Sequence, residues 1–352
     1  MFRYAPPFRK VIVIPAIALI LFIASAFIVA GCRTPITVAD QREEYPAFAR
    51  MRDELSPLRV LAGGNDGTTG SKREIPTIRS YYRRTTSGIP GARHEAGVVP
   101  YADEATAVHL FFPDDPSGEV VLLVHGYLSH ALDHAALIRR LLTERYTVVA
   151  PELPGHGLSG GIRGGVESFP AYGRVLAAVI EEVVEHEILP GPTETKWHAV
   201  GHSTGAVAII EYLRQVDDPF RSIVFAAPLV RNRLYNGARA GREVTRFFLD
   251  VVPTRYDNPL GVRQMPLSWF DAQVDWNNDV HRIGPYTRPL LVIQGTRDSV
   301  VAWRYNREVL QEIFPNIDYR TIRGAPHILY QDPAIRDEAI EMTIGFMRDP
   351  KG

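Results

Sequence analysis

The sequence has almost no cysteine. Among its 352 residues Cys32 carries the lone thiol, so no disulfide can close within the chain. It also lacks an excess of either charge, since 39 lysines and arginines face 40 aspartates and glutamates for a formal net charge of −1. With no long basic block, the balance argues against nucleic acid as the main partner. No repeat at solenoid or propeller period and no low-complexity tract is present, which excludes an array. What is there, 45% hydrophobic and 22% charged, suits a globular body with a full core. That core must hold the fold without cross-links.

Long hydrophobic runs are scarce too, with one exception. "MFRYAPPFRK" supplies Arg3, Arg9 and Lys10, and "VIVIPAIALILFIASAFIVA" then runs apolar from Val11 to Ala30. A basic start, an apolar stretch and small residues read as an export signal. The run ends in "IVAGC" at Cys32, which resembles a bacterial lipobox, where the cysteine thiol is acylated before cleavage. The resemblance implies an exported, membrane-tethered lipoprotein, with residues 1–31 as signal peptide and membrane contact through an N-terminal lipid anchor. Arg33 after the cysteine, rather than Asp, favours outer-membrane sorting by the same resemblance, in a Gram-negative host. The run is longer than an ordinary signal core, so an uncleaved membrane anchor is the alternative.

Residues 32–75 are charged and broken, and read as a tether, followed by a domain over 76–352. There "AVHLFF" (107–112), "EVVLLVHGY" (119–127), "YTVVAPEL" (146–153), "KWHAVGHS" (196–203), "RSIVFAAPLV" (221–230), "PLLVIQGT" (289–296) and "DYRTIRG" (318–324) predict strands. Several are apolar on both faces, as strands inside a parallel sheet must be. Amphipathic stretches at 130–144, 168–188, 204–215, 302–314 and 333–348 predict helices between them. The alternation implies an α/β fold, a mostly parallel, doubly wound sheet flanked by helices. Residues 231–286 break it with no clear strand and with Phe247, Phe248, Tyr256, Trp269, Phe270 and Trp276. That length reads as a helical insertion, a lid above the strand ends.

In a doubly wound sheet, reactive groups gather at the carboxyl ends of the strands. There "GHSTG" places Ser203 between Gly201 and Gly205, with a strand before and a helix after. In G-x-S-x-G the serine occupies a strained strand-to-helix turn whose flanks must be small. A serine hydroxyl needs a base held by a third group. After Ser203 the sequence offers two histidines. His281 lies inside the insertion, whereas His327 follows a strand in "RGAPHILY", so His327 is assigned as the base. Asp298, in the turn after "LLVIQG", is assigned as the acid. Asp271, Asp275 and Asp279 are borne by the insertion and less well placed. The oxyanion needs N–H donors, assigned to Thr204 at the helix start and to Tyr127 after the His125–Gly126 turn. His202, beside the serine, and His156, in "PGHGLS", read as loop-fixing side chains.

Taken together, "LLVHGYLSHALDH", "PELPGHGLSGG", "GHSTG", "IQGTRDSVV" and "GAPHILY" resemble the α/β-hydrolase superfamily. Within it they are most similar to the monoacylglycerol lipase and lysophospholipase group, which is classified with serine aminopeptidases. The resemblance spans about residues 95–350. It implies Ser203 as nucleophile, Asp298 as acid, His327 as base, Tyr127 and Thr204 as oxyanion donors, and no cofactor. Two positions depart from the pattern: Glu152 replaces the usual Asp before "LPGHG", and Ala206 replaces a second closing glycine.

The leading expectation is therefore a serine ester hydrolase acting on a lipid or other acyl-ester substrate. A peptidase or amidase using the same triad stays open, with Glu243, Asp250, Asp271, Asp275 and Asp279 available to hold a substrate amino group. "HALDH" sets His130 and His134 at a ligand spacing, but lacks the glutamate of a zinc-protease motif, and no metal is assigned. A non-catalytic tethered lipoprotein is the remaining reading, since fold alone does not establish activity.

Overall fold

Val120–Val124 reads VVLLV and every one of its residues is buried. Val120, Leu122 and Val124 enter one apolar cluster while Val121 and Leu123 enter another. Alternate side chains of a strand leave opposite faces, so this strand lies in a sheet covered on both sides. The computed structural model describes residues 52–53, 55, 57–58, 92–240, 251–253 and 264–350.

Ten strands are described: β1 (Ala92–Tyr101), β2 (Glu104–Pro113), β3 (Val120–Val124), β4 (Thr147–Pro151), β5 (Trp197–His202), β6 (Phe220–Ala226), β7 (Val251–Pro253), β8 (Gln264–Pro266), β9 (Leu290–Gly295) and β10 (Ile317–Ile322). Eight form one sheet in the order β1-β2-β4-β3-β5-β6-β9-β10. From β4 across to β10 every pairing is parallel, whereas β1 and β2 make an antiparallel edge.

The longer helices among the described residues are α1 (Ala135–Thr143), α2 (Phe169–Glu185), α3 (Thr204–Leu213), α4 (Leu267–Asp279), α5 (Trp303–Ile313) and α6 (Arg336–Arg348). Helix α2 starts after Ser168 with a proline in its first turn and buries Tyr172, Val175, Leu176, Val179 and Val183, spaced to share one face. With α3 and α5 it covers one side of the sheet, and α1 with α6 covers the other.

All seven strands and all five helices read from the sequence are present, within a few residues. Strand β1 escaped the sequence reading because ARHEAGVVPY has no apolar run. It is an edge strand with one neighbour in the sheet and needs only one apolar face. The insertion, read as strandless, contains the short antiparallel pair β7–β8; three residues per strand leave too little pattern to detect.

Within the stretch read as a tether, Leu58 is fully buried and donates its N–H to the Val98 carbonyl at 2.9 Å. That part packs on the sheet edge and belongs to the body. Residues 1–51, with the apolar run, Cys32 and Arg33, lie outside the described residues, as do Glu243, Phe247, Phe248, Asp250 and Tyr256. Among the described residues no helix is long and apolar enough to cross a membrane.

Candidate active site

Strands β3 and β5 run side by side with Val124 opposite Gly201, so the turns leaving their carboxyl ends must touch. They do so closely. A methyl group on Gly205 would lie 2.2 Å from the Val124 carbonyl oxygen, and one on Gly201 would lie 2.7 Å from the Ala206 nitrogen. Only hydrogen fits at either position. Between them Ser203 takes φ 52° and ψ −113°, a left-handed conformation unfavourable for a side-chain-bearing residue. It is held there by its own N–H donating to the Ala226 carbonyl at 2.9 Å and its carbonyl accepting from Leu229 at 3.1 Å.

The turn after β3 abuts this one. A methyl on Gly126 would meet Ser203 Cβ at 3.0 Å and His202 Nδ1 at 2.9 Å. Fully buried His125 donates Nδ1–H to the Gly126 carbonyl at 2.7 Å, while its Nε2 accepts the Leu153 N–H at 2.9 Å. Both ring nitrogens are committed, so one neutral tautomer is required. Burial pushes its pKa down to about 4. Because the peptide is trans, fixing the Gly126 carbonyl aims the Tyr127 N–H the opposite way. Among the described residues, neither that N–H nor the one of Thr204, at the start of α3, donates to a protein carbonyl. Both remain free for an incoming oxyanion.

Asp298 and His327 come from the loops after β9 and β10, and the structure brings them together: His327 Nδ1 lies 2.8 Å from Asp298 Oδ2. Gly295 permits the approach, since a methyl there would sit 2.4 Å from the carbonyls of both Ala325 and Pro326. Asp298 is saturated with donors. Oδ2 also accepts from Gln294 Nε2 at 3.0 Å, and Oδ1 accepts the N–H groups of Val300 at 2.8 Å and Val301 at 3.0 Å. Burial pushes this carboxyl up, but the bond and charge of His327 and the two N–H groups outweigh it and hold it below the usual range. An ionised carboxylate only accepts, so His327 donates from Nδ1 and presents Nε2 as a base.

His202 links the two halves. Its Nε2–H donates to the His327 carbonyl at 3.1 Å, and the two rings lie 5.0 Å apart. Burial, with the neighbouring His327 second, pushes its pKa down to about 3. His156 donates Nδ1–H to the Pro154 carbonyl at 2.8 Å and packs edge-on against Tyr127. Both histidines brace loops.

The other residues read from the sequence lie elsewhere. His281 faces Glu312 and Tyr305 on the surface. His134 is buried against His202 and Tyr330, and His130 faces Asp133. Among the described residues no cluster of His, Cys, Asp or Glu is arranged to hold a metal. Glu152 is buried beside His109 at 3.3 Å and accepts the Leu158 N–H, which braces the loop carrying His156.

Two partners escaped the sequence reading. Gln294 is the polar residue in the fully buried strand LLVIQG, a signal that would have flagged it. Trp269 of α4 stacks on the Tyr127 ring at 4.0 Å, and its Nε1–H donates to the Tyr172 hydroxyl at 3.0 Å. Trp276 Nε1–H donates to buried Glu211 of α3 at 2.6 Å. The two tryptophans of α4 are therefore packed anchors, buried between the helix and the body.

A mostly parallel sheet with a strained serine after its fifth strand, and an Asp–His pair after its last two, has a known counterpart. The fold is that of the α/β-hydrolases. Residues 115–265 match the family described as serine aminopeptidase, S33. Among solved α/β-hydrolase structures, the chain is similar to a monoacylglycerol lipase from Paleococcus ferrophilus at 20% identity and TM-score 0.56, covering 70% of this chain and 98% of that one. It is similar to a monoglyceride lipase from Saccharomyces cerevisiae at 12% identity and TM-score 0.62, over 75% and 98% of the two chains. A thermostable carboxyl esterase from Bacillus coagulans matches at 13% identity and TM-score 0.58, over 73% and 98%.

Proposed function

We propose that this α/β-hydrolase cleaves carboxylic esters of lipid-like substrates, of monoacylglycerol or lysophospholipid type, through an acyl-enzyme on Ser203. The observation that carries the reading is the His327–Asp298 hydrogen bond beside a serine held at φ 52°. Ser203 Oγ attacks the ester carbonyl carbon and His327 Nε2 takes its proton. The carbonyl oxygen, now an oxyanion, accepts from the N–H groups of Tyr127 and Thr204. The intermediate collapses, the C–O bond breaks, and His327 returns the proton to the leaving alcohol. Water then repeats the sequence on the acyl-enzyme, releasing the acid and restoring Ser203. Asp298 keeps the imidazole in the tautomer that makes Nε2 the acceptor. No cofactor enters any step.

The ester reading draws on the likeness to two monoacylglycerol lipases and a carboxyl esterase. In this reading the insertion is a lid, and α4 is joined to the body through Trp269 and Trp276. The family description favours a second reading, a serine aminopeptidase. Of the carboxylates that reading needs, Asp275 is exposed and Asp279 is paired with Arg282 on the surface. Hydrolysis of a short p-nitrophenyl ester, a monoacylglycerol, a lysophospholipid and an aminoacyl anilide, with Ser203→Ala alongside, separates the two. Turnover of the anilide alone would overturn the ester reading.

The leader belongs to the same proposal: Cys32 is acylated and holds the exported chain at a membrane. Mass spectrometry of the mature N-terminus tests it, and an unmodified Cys32 in a retained leader would assign an uncleaved anchor instead.

A further inference from the structure

Four large apolar side chains stay exposed among the described residues; Val216, 36% exposed, lies beyond the end of α3, and the other three are the more exposed and fall in loops around the Asp298–His327 pair. Leu234 is 77% exposed, Ile328 48% and Val300 47%. Ile328 follows His327 and Val300 lies two residues beyond Asp298. Leu234 joins them through the backbone, because Arg233 N–H donates to the Val300 carbonyl at 2.8 Å and Ala302 N–H donates to the Arg231 carbonyl at 2.9 Å. The loops after β9 and β10 are themselves stitched by Arg297 N–H to the Ala325 carbonyl at 3.0 Å. All three apolar groups thus rim the mouth of the site.

The exposed charges interleaved with them have one sign. Arg233, Arg297 and Arg323 are exposed and make no ion pair among the described residues. The same loops, residues 231–235, 296–302 and 323–332, hold two acids. Asp298 is buried on His327, and Asp332 is half-buried and accepts the Ala334 N–H at 2.9 Å. A chain of net charge −1 therefore gathers around its site cations that are unpaired among the described residues. Arginine alone would suit any polyanion. Exposed Leu, Val and Ile between the arginines select a polyanion with an apolar interior.

We infer that this rim docks the catalytic mouth onto an anionic phospholipid surface, apolar side chains inserted and Arg233, Arg297 and Arg323 on lipid phosphates. This contact is separate from the N-terminal leader and independent of which ester is cleaved. The test uses the full chain with Cys32→Ser and an environment-sensitive fluorophore on Leu234→Cys. A second protein carries the fluorophore on Ser117→Cys, exposed before the amino end of β3 at the opposite side of the sheet. Each is titrated with phosphatidylcholine vesicles and with vesicles containing phosphatidylglycerol. Binding driven by residues 11–30 is common to both probe positions, so the difference between them reports the rim.

The expected result is a blue shift at position 234 on phosphatidylglycerol vesicles, absent at 117 and weakened by salt. Arg233→Ser should lower the partition constant read at position 234 by about fivefold at low salt. Equal responses at 234 and 117, or equal responses to both lipids, would overturn the inference. A silent probe in protein that sediments as a dimer would assign the patch to a second copy of the chain.

Discussion

The indole of Trp269 lies 4.0 Å from the ring of Tyr127, inclined by 24°. One residue sits on the insertion helix and the other is Tyr127, proposed as an oxyanion donor through its own N–H. Tyr127 is further held by its hydroxyl donating to the Gly164 carbonyl at 2.8 Å. Helix α4 of the insertion is therefore packed directly on the turn after β3. Trp269→Ala removes the stack and the bond to Tyr172, so it should destabilise the fold by about 3–5 kcal/mol and lower kcat as well. Urea denaturation and turnover measured on the same sample check both. A stability loss with turnover per folded molecule unchanged would separate the helix from the site.

Ser203→Ala should cut ester turnover by about 10⁴- to 10⁶-fold and leave the fold intact. Removing the strained left-handed serine does not remove the glycine contacts that shape the turn. Burst kinetics with a p-nitrophenyl ester would show the acyl-enzyme in the parent and none in the variant. Residual turnover above a hundredth of the parent would displace Ser203 from the mechanism.

Asp298→Asn retains the shape of the acid but turns the histidine, because an amide can donate where the carboxylate only accepted. kcat should fall by about 10⁴-fold with KM little changed. Nε2 of His327 would then carry the proton, which proton NMR of the ring would show directly.

Gly205→Ala places a methyl 2.2 Å from the Val124 carbonyl oxygen and 2.9 Å from that of His125. Both are backbone atoms and cannot swing aside, so the turn must open. We expect a loss of about 1–3 kcal/mol of stability and no detectable ester turnover. Wild-type thermal stability would mean that the two turns are further apart than this packing requires.

Stability should fall on mild acidification, before the carboxylates titrate. Burial lowers the pKa of His125 to about 4 and of His202 to about 3, against an ordinary value of 6.5. Their neutral forms favour the folded state fully above pH 6.5, and the contribution is lost as pH falls toward those lowered values. Each contributes about 1.4 kcal/mol per pH unit inside that window. Glu152 adds the same sign further down. Burial raises its carboxyl, the bond to His109 outweighs it, and the result, about 2, makes stability fall between pH 4.5 and 2. The urea midpoint measured at pH 7 and pH 5 checks the histidines, and an equal midpoint at the two would sink the assignment.

Much of this molecule is determined locally and is legible in the chain. Strands such as VVLLV must be covered on both faces, helices such as α2 show one apolar side, and their alternation dictates a parallel sheet. Ser203 could be singled out because the strain of its turn leaves a signature in Gly201 and Gly205. His327 and Asp298 could be singled out by their position after strands, and they meet because topology sends the carboxyl ends of β9 and β10 to the same edge.

Other features were decided only by the tertiary structure. In the sequence Trp269 and Trp276 are simply aromatics of the insertion, and only the fold makes both buried anchors, because hydrophobicity does not say which neighbour will cover it. His125 and His202 acquire their neutral, single-tautomer states from carbonyl and N–H partners far along the chain. The apolar rim of Leu234, Val300 and Ile328 is likewise invisible in one dimension. It exists because three loops distant in sequence end at one edge of a parallel sheet, where the core is already full and their side chains face outward.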